Sequence, residues 1–156
     1  MRLPRRRRLE AKTDYKARLA LLKSGRPRII VRKTNRYIIV QLVETNIAQD
    51  KILINLSSKY LLEKGWPKEL NGSLKNLSAS YLTGFIIGNL AKGKAKEAIL
   101  DLGMHRNIQK SRIYAVVKGA LDAGLKIPCS EENLPSLEKI KNNPKTGNLI
   151  DKIKGK

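Results

Sequence analysis

The strongest constraint on the fold is a change of apolar period partway along the chain. From Arg28 to Leu56 the apolar residues are Ile-, Val- and Leu-rich in short runs, whereas from Leu77 onward they recur at helical spacing. Arg28 to Lys33 and Tyr37 to Glu44 read as two strands joined by the polar turn Thr34, Asn35 and Arg36. Lys51 to Leu56 reads as a third, with Ile52, Ile54 and Leu56 expected on one side and Leu53 and Asn55 on the other. Past Gly65, Trp66, Pro67 and the Asn71-Gly72 turn, Leu77, Tyr81 and Phe85 form one helical ridge and Leu82, Ile86 and Leu90 the next, predicting a helix from about Asn76 to Ala91. Ala98 to Leu102 is a short apolar run ending at Gly103, expected as a fourth strand. Ser111 then caps a helix carrying Ile113, Val116, Val117, Ala120 and Leu121 on one face, stopped by Gly124 and Pro128.

That order of elements dictates a topology. Three strands linked by short turns form an antiparallel meander, and a fourth strand reached through a helical crossover pairs in parallel with one already in the sheet. The expected fold is α/β: a mixed sheet of about four strands with helices packed on it. Before the sheet, Thr13 is expected to cap a helix with Tyr15, Leu19 and Leu22 on one face and Lys12, Lys16 and Lys23 on another, ended by Gly25 and Pro27.

Charge is distributed unevenly over this frame. The first 36 residues hold 14 Lys or Arg against two acids, Glu10 and Asp14, a net of +12 out of the total +20. Such asymmetry points to a polyanionic partner. A membrane is the poorer candidate, because the most apolar stretch, Ala79 to Ala91, is shorter than the ~20 residues of a bilayer span and contains Ser80, Thr83 and Asn89. No apolar run follows Arg5 to Arg8, so no secretory signal is expected. One cysteine, Cys129, and one histidine, His105, supply neither a disulfide framework nor a structural zinc site, which suits a reducing compartment. The chain divides by composition into a basic arm (1–8), a domain (9–141) and a basic tail (142–156); both ends are expected to be extended or mobile until a partner orders them.

Catalytic readings fail on their own terms. Gly88 to Lys94 has the spacing of a phosphate loop, but Ala95 stands where Ser or Thr would hold magnesium, and a helical rather than a strand pattern precedes it. The strand and helix order resembles nucleases of the ribonuclease H type, yet these need converging carboxylates for magnesium, and only Asp101 sits near a strand end. His105 and Cys129 each lack the partners of a nucleophilic site. No cofactor and no small-molecule substrate is expected.

Nucleic acid, by contrast, is supported by separate features that agree. The hairpin tip Arg32, Lys33, Thr34, Asn35, Arg36 and Tyr37 offers cations for phosphate, a hydroxyl and an amide for base edges or 2′-hydroxyls, and a ring able to stack. Arg5, Arg6, Arg7, Arg8, Lys12, Lys16 and Arg28 add cations, as does the acid-free loop with His105, Arg106, Lys110 and Arg112. A general DNA- or RNA-compacting protein shares these features, so charge alone leaves the partner open.

Several strings narrow it. Lys12-Thr-Asp-Tyr-Lys, Arg26-Pro-Arg-Ile-Ile-Val-Arg-Lys-Thr-Asn, Tyr81-Leu-Thr-Gly, Leu100-Asp-Leu-Gly-Met-His-Arg, Ala115 to Leu125 and Ile127-Pro-Cys-Ser-Glu-Glu stand in one order over roughly residues 5 to 140. They resemble the universal ribosomal protein family eighteen of the large subunit, in its archaeal and eukaryotic form. The resemblance implies a cytoplasmic, ribosome-bound structural protein that binds 5S ribosomal RNA. It also implies that the protein seats that RNA, with a neighbouring 5S-binding ribosomal protein, against the large-subunit ribosomal RNA in the central protuberance. Carried over by position, Arg32 to Arg36 and Gln41 match the family's RNA-facing hairpin, and Arg5 to Arg8 its basic extension. Thr34, where many members have serine, keeps the hydroxyl.

Overall fold

The computed structural model describes residues 3–47 and 49–154. Four strands, β1 (Arg28–Lys33), β2 (Ile38–Asn46), β3 (Gln49–Ser57) and β4 (Ile99–Asp101), form one sheet in the order β3-β2-β1-β4. The β1–β2 and β2–β3 pairs are antiparallel, and β4 lies parallel to β1 with Leu100 opposite Ile29. This is the mixed sheet predicted from the order of apolar periods.

Alternation along the strands gives the sheet two different faces. Ile29, Val31, Val40, Leu42, Ile54 and Leu56 point to one side and are buried against Ile87 and Ala91 of α3 (Leu77–Ala91) and Ile113, Val116, Val117 and Ala120 of α4 (Arg112–Asp122). The two helices approach closely because glycines stand at their crossing: a Cβ at Gly84 would strike the Val116 carbonyl, and one at Gly119 the Tyr81 carbonyl. Asn76 caps α3, its side-chain oxygen accepting the Ala79 N–H at 2.7 Å. Gly88, read for phosphate-loop spacing, lies inside α3 against Ala120 and Ala123, and Gly93 (φ +94°) forms the turn after it.

A register shift between Leu42 and Val43 corrects one expectation. Leu42 pairs with Ile54 and Val43 with Ile52, so Leu53 is an extra residue on β3 and the side-chain alternation reverses there. Ile54 and Leu56 enter the core, while Ile52 is 55% exposed.

The second sheet face carries α2 (Tyr15–Lys23) and the single turn α1 (Arg6–Leu9), neither of which buries a residue completely. Asp14, not Thr13, caps α2, accepting the N–H groups of Lys16 (3.0 Å) and Ala17 (3.1 Å). Thr13 accepts the Arg7 Nε–H at 2.9 Å instead. Arg6–Leu9 is helical rather than extended, held by Arg5 and Arg6 carbonyls.

The tail departs further from expectation. α5 (Leu137–Lys141) and α6 (Asn148–Lys154) fold back on the free side of α3, where Ile140, Ile150 and Ile153 join Leu61, Trp66, Leu74, Tyr81 and Leu82 in a second buried cluster. Buried Thr146 lies between them and donates to Ser78 at 3.1 Å, while Ser78 donates to the Ile140 carbonyl at 2.8 Å. Residues 148–154 are helical here, with Ile150 and Ile153 buried; Met1, Arg2, Gly155 and Lys156 lie outside the described residues.

Candidate nucleic-acid interface

The residues expected to meet nucleic acid sort into those satisfied by the chain's own groups and those left unpaired. Arg28 belongs to the first class, except that its buried Nε has no partner among the described residues, and it is corrected as a surface contact. Its side chain is 1% exposed, bonded through Nη1 to Asp101 Oδ2 (2.9 Å) and through Nη2 to Asp50 Oδ1 (2.7 Å) and Thr45 (3.0 Å). Asp50, itself exposed, also receives Arg18 of α2 at 2.7 Å, so this cluster ties α2 to the sheet. Burial raises the Asp50 pKa, but the bonds from Arg18, Thr45 and Arg28 outweigh that and hold the carboxyl below its ordinary range.

Arg32 is half committed. Its guanidinium meets the Asp101 carboxylate at 3.2 Å and the Asp101 carbonyl at 2.9 Å, but it remains partly open to solvent. In the arm, Arg6 and Lys12 share Glu10 at 2.8 and 2.7 Å, keeping that exposed carboxyl ionised, and Arg5 lies 4.8 Å above the Tyr15 ring. These exposed contacts are weak and open to exchange for phosphate. Gln41 lies in the middle of β2 on the second sheet face, its amide donating to Asn55 at 3.1 Å.

Lys33, Arg36, Arg106, Lys110 and Arg112 form no ion pair among the described residues, nor do Arg8 and Lys16. Lys33, Arg106, Lys110 and Arg112 are brought together in one groove, and Arg36 lies at the hairpin tip. Thr34 closes the hairpin, donating its hydroxyl to the Tyr37 carbonyl at 2.8 Å and accepting the Tyr37 N–H at 3.0 Å. That turn leaves Asn35 and Arg36 exposed at the tip; the Tyr37 ring is half-buried against the second apolar cluster. His105 reaches the hairpin from the other side, its Nε2 accepting the Lys33 N–H at 3.1 Å. A groove follows, lined by Lys33, His105, Arg106, Lys110 and Arg112 with the exposed apolar Met104 and Ile108.

Accepting that bond requires an unprotonated Nε2. Burial lowers the pKa of His105, and the cations of Arg32 and Lys33 lower it further, so the imidazole is held neutral. His105 is thus a strut between loop and hairpin. Lys75 was not anticipated: its Nζ donates to the Asn35 carbonyl at 2.6 Å and adds another cation at the tip. Only the crossover leading into α3 puts it there, and its local sequence carries no sign of this.

No group of three or more His, Cys, Asp or Glu able to hold a metal occurs among the described residues, and no described helix is long and apolar enough to cross a membrane. What the surface can do chemically is neutralise phosphates along a groove and present hydrogen-bonding groups at its rim.

The family described as "Ribosomal large subunit proteins 60S L5, and 50S L18" matches residues 1–96 and 89–130. The chain is similar to the large ribosomal subunit protein uL18 of Aeropyrum pernix, at 45% identity over 90% of this chain and 64% of the relative. It is also similar to the protein of that name from Korarchaeum cryptofilum, at 49% identity over 87% of this chain and 68% of the relative. It thus spans about two thirds of the length of either relative. On a match that runs through the hairpin, the sheet and both core helices, this chain belongs to the family of ribosomal large subunit proteins 60S L5 and 50S L18.

Proposed function

We propose that the protein is a non-catalytic constituent of the large ribosomal subunit that binds 5S ribosomal RNA and helps attach it to the large-subunit ribosomal RNA in the central protuberance, beside a neighbouring 5S-binding ribosomal protein. The observation that carries this reading is the groove lined by Lys33, Arg106, Lys110 and Arg112, which form no ion pair among the described residues, next to a hairpin whose tip carries Arg36 and receives Lys75, in a chain belonging to this family. Asp101 is occupied by Arg28 and Arg32, two cations that would repel magnesium there, which speaks against nuclease chemistry at that strand end.

The mechanism is phosphate neutralisation by the groove and the arm, with Asn35 and the hairpin tip setting register on unpaired nucleotides. The test is a binding titration of 5S ribosomal RNA against an unrelated RNA hairpin and duplex DNA over a range of salt. With about six phosphates engaged, the logarithmic salt slope is expected near −4 to −5. A slope near −1 for 5S RNA contradicts the proposal, and equal affinity for duplex DNA favours a general compacting protein.

A further inference from the structure

Asp101 has no part in phosphate neutralisation, yet its carboxylate is heavily engaged. Its buried side chain accepts Arg28 Nη1 at 2.9 Å, Arg32 Nη2 at 3.2 Å and the Gly103 N–H at 2.8 Å, while its backbone carbonyl accepts Arg32 Nη1 at 2.9 Å. It stands at the end of β4, where the chain leaves the sheet to form the loop bearing His105, Arg106 and Lys110. Gly103 turns there with φ +58°, and a Cβ on it would lie 2.8 Å from the Arg32 guanidinium carbon. The guanidinium therefore rests on the glycine backbone. Two residues later His105 accepts the Lys33 N–H from the strand that carries Arg32.

These contacts form a closed circuit: Asp101 to Arg32, Arg32 along β1 to Lys33, Lys33 to His105, and back through the Gly103 turn to Asp101. We propose that Asp101 is a positioning residue whose buried carboxylate locks the 103–111 loop to the β1–β2 hairpin, so that the two cationic halves of the RNA surface are aligned before RNA arrives. This rests on the RNA-binding reading and names what preorganises that surface. Preorganisation raises affinity by removing the ordering cost that loose side chains carry into a complex. A free 103–111 loop would bring the same cations but not the same geometry.

The deciding variant is Gly103→Ala, which removes no charge and no RNA-facing side chain but forces a Cβ into a left-handed turn and against Arg32. Affinity for 5S ribosomal RNA is expected to fall about tenfold. His105 is the single histidine of the chain, so its imidazole titration by NMR reports the lock directly. In Gly103→Ala its midpoint should rise toward the ordinary histidine value as the ring leaves the hairpin and the Arg32 and Lys33 cations. Asp101→Asn should also weaken binding; since it leaves the buried Arg28 short of a carboxylate and could unfold the chain, circular dichroism accompanies both variants. If folded Gly103→Ala binds 5S RNA like the parent, or loses affinity with the His105 midpoint unmoved, the proposal is overturned whatever Asp101→Asn does. Arg36→Ala and Arg112→Ala serve as controls: if they too leave affinity unchanged, it is the interface reading itself that fails.

Discussion

The two ends of this chain look alike in composition and behave differently in space. Both are Lys- or Arg-marked and poor in aromatic residues, and neither offers a long apolar period. The C-terminal segment nevertheless buries Ile150 to 1% exposure and packs Lys154 4.7 Å from the centre of the Tyr81 ring, whereas in the arm Leu3 stays 86% exposed. The difference is one of surfaces to land on. α3 is apolar on nearly its whole circumference, so after the sheet and α4 have covered part of it, a flank around Leu82 still needs burial, and two isoleucines three residues apart are enough to cap it. Arg7 of the arm lines a cavity with Asp101 on the second side of the sheet, where Arg28 pairs with Asp50 and Asp101 and little apolar area is offered.

Removing each end's apolar anchor is the harshest test of that contrast. Ile150→Ala should lower stability by about 2–5 kcal/mol in urea titration, while Leu3→Ala should stay within about 0.5 kcal/mol. Similar losses at both positions would abolish the distinction between a docked tail and an undocked arm. A milder test is deletion of residues 1–8. It should leave the thermal midpoint nearly unchanged but shrink the RNA salt slope by about 3 to 4 if Arg5 to Arg8 each meet a phosphate.

Single arm and hairpin substitutions refine the comparison further. Arg6→Ala should weaken binding to 5S RNA and an unrelated hairpin alike, with the slope changing by about 1. Asn35→Ala should instead reduce the preference between the two RNAs, and equal losses on both would take the hairpin tip out of recognition.

Acid is the gentlest probe. Because the folded Asp50 carboxyl titrates below its ordinary value of 3.8, its contribution to stability is present above that pH and is lost as pH falls through the lower folded value. His105 acts in the same direction at a higher window. Its folded pKa is depressed below 6.5, so stability is full above 6.5 and declines as pH drops through the folded value. A urea midpoint that rose between pH 7 and pH 5 would contradict the neutral His105 strut.

The sheet was legible because its evidence is local: strand-length apolar runs, a polar turn and a helical crossover admit few topologies, and the parallel β1–β4 pair is the one they predict. The family resemblance was equally legible, since long strings such as Leu100 to Arg106 are contiguous in sequence. What was not legible depends on distant partners. Arg28 looks like any cation of the basic segment until Asp101, 73 residues away, and Asp50 close around it. The β3 bulge is invisible because Ile52, Leu53 and Ile54 are all apolar, so no polar residue marks where alternation reverses. The tail's docking follows from vacant area on α3, which its own sequence does not record. Within the candidate site, the hairpin and the 104–112 loop were each found as cationic segments, but that His105 joins them emerges only in three dimensions.

The bulge at Leu53 has one more consequence. β3 is an outer strand of nine residues, long enough to recruit a matching strand from another copy. The extra residue kinks that rim, Lys51 places a charge on it, and the Lys94 ammonium donates to the Leu53 carbonyl at 3.0 Å, occupying an acceptor that an incoming chain would need. These modest obstructions hinder a second copy from extending the sheet at this rim and so guard the free polypeptide against clumping with its siblings.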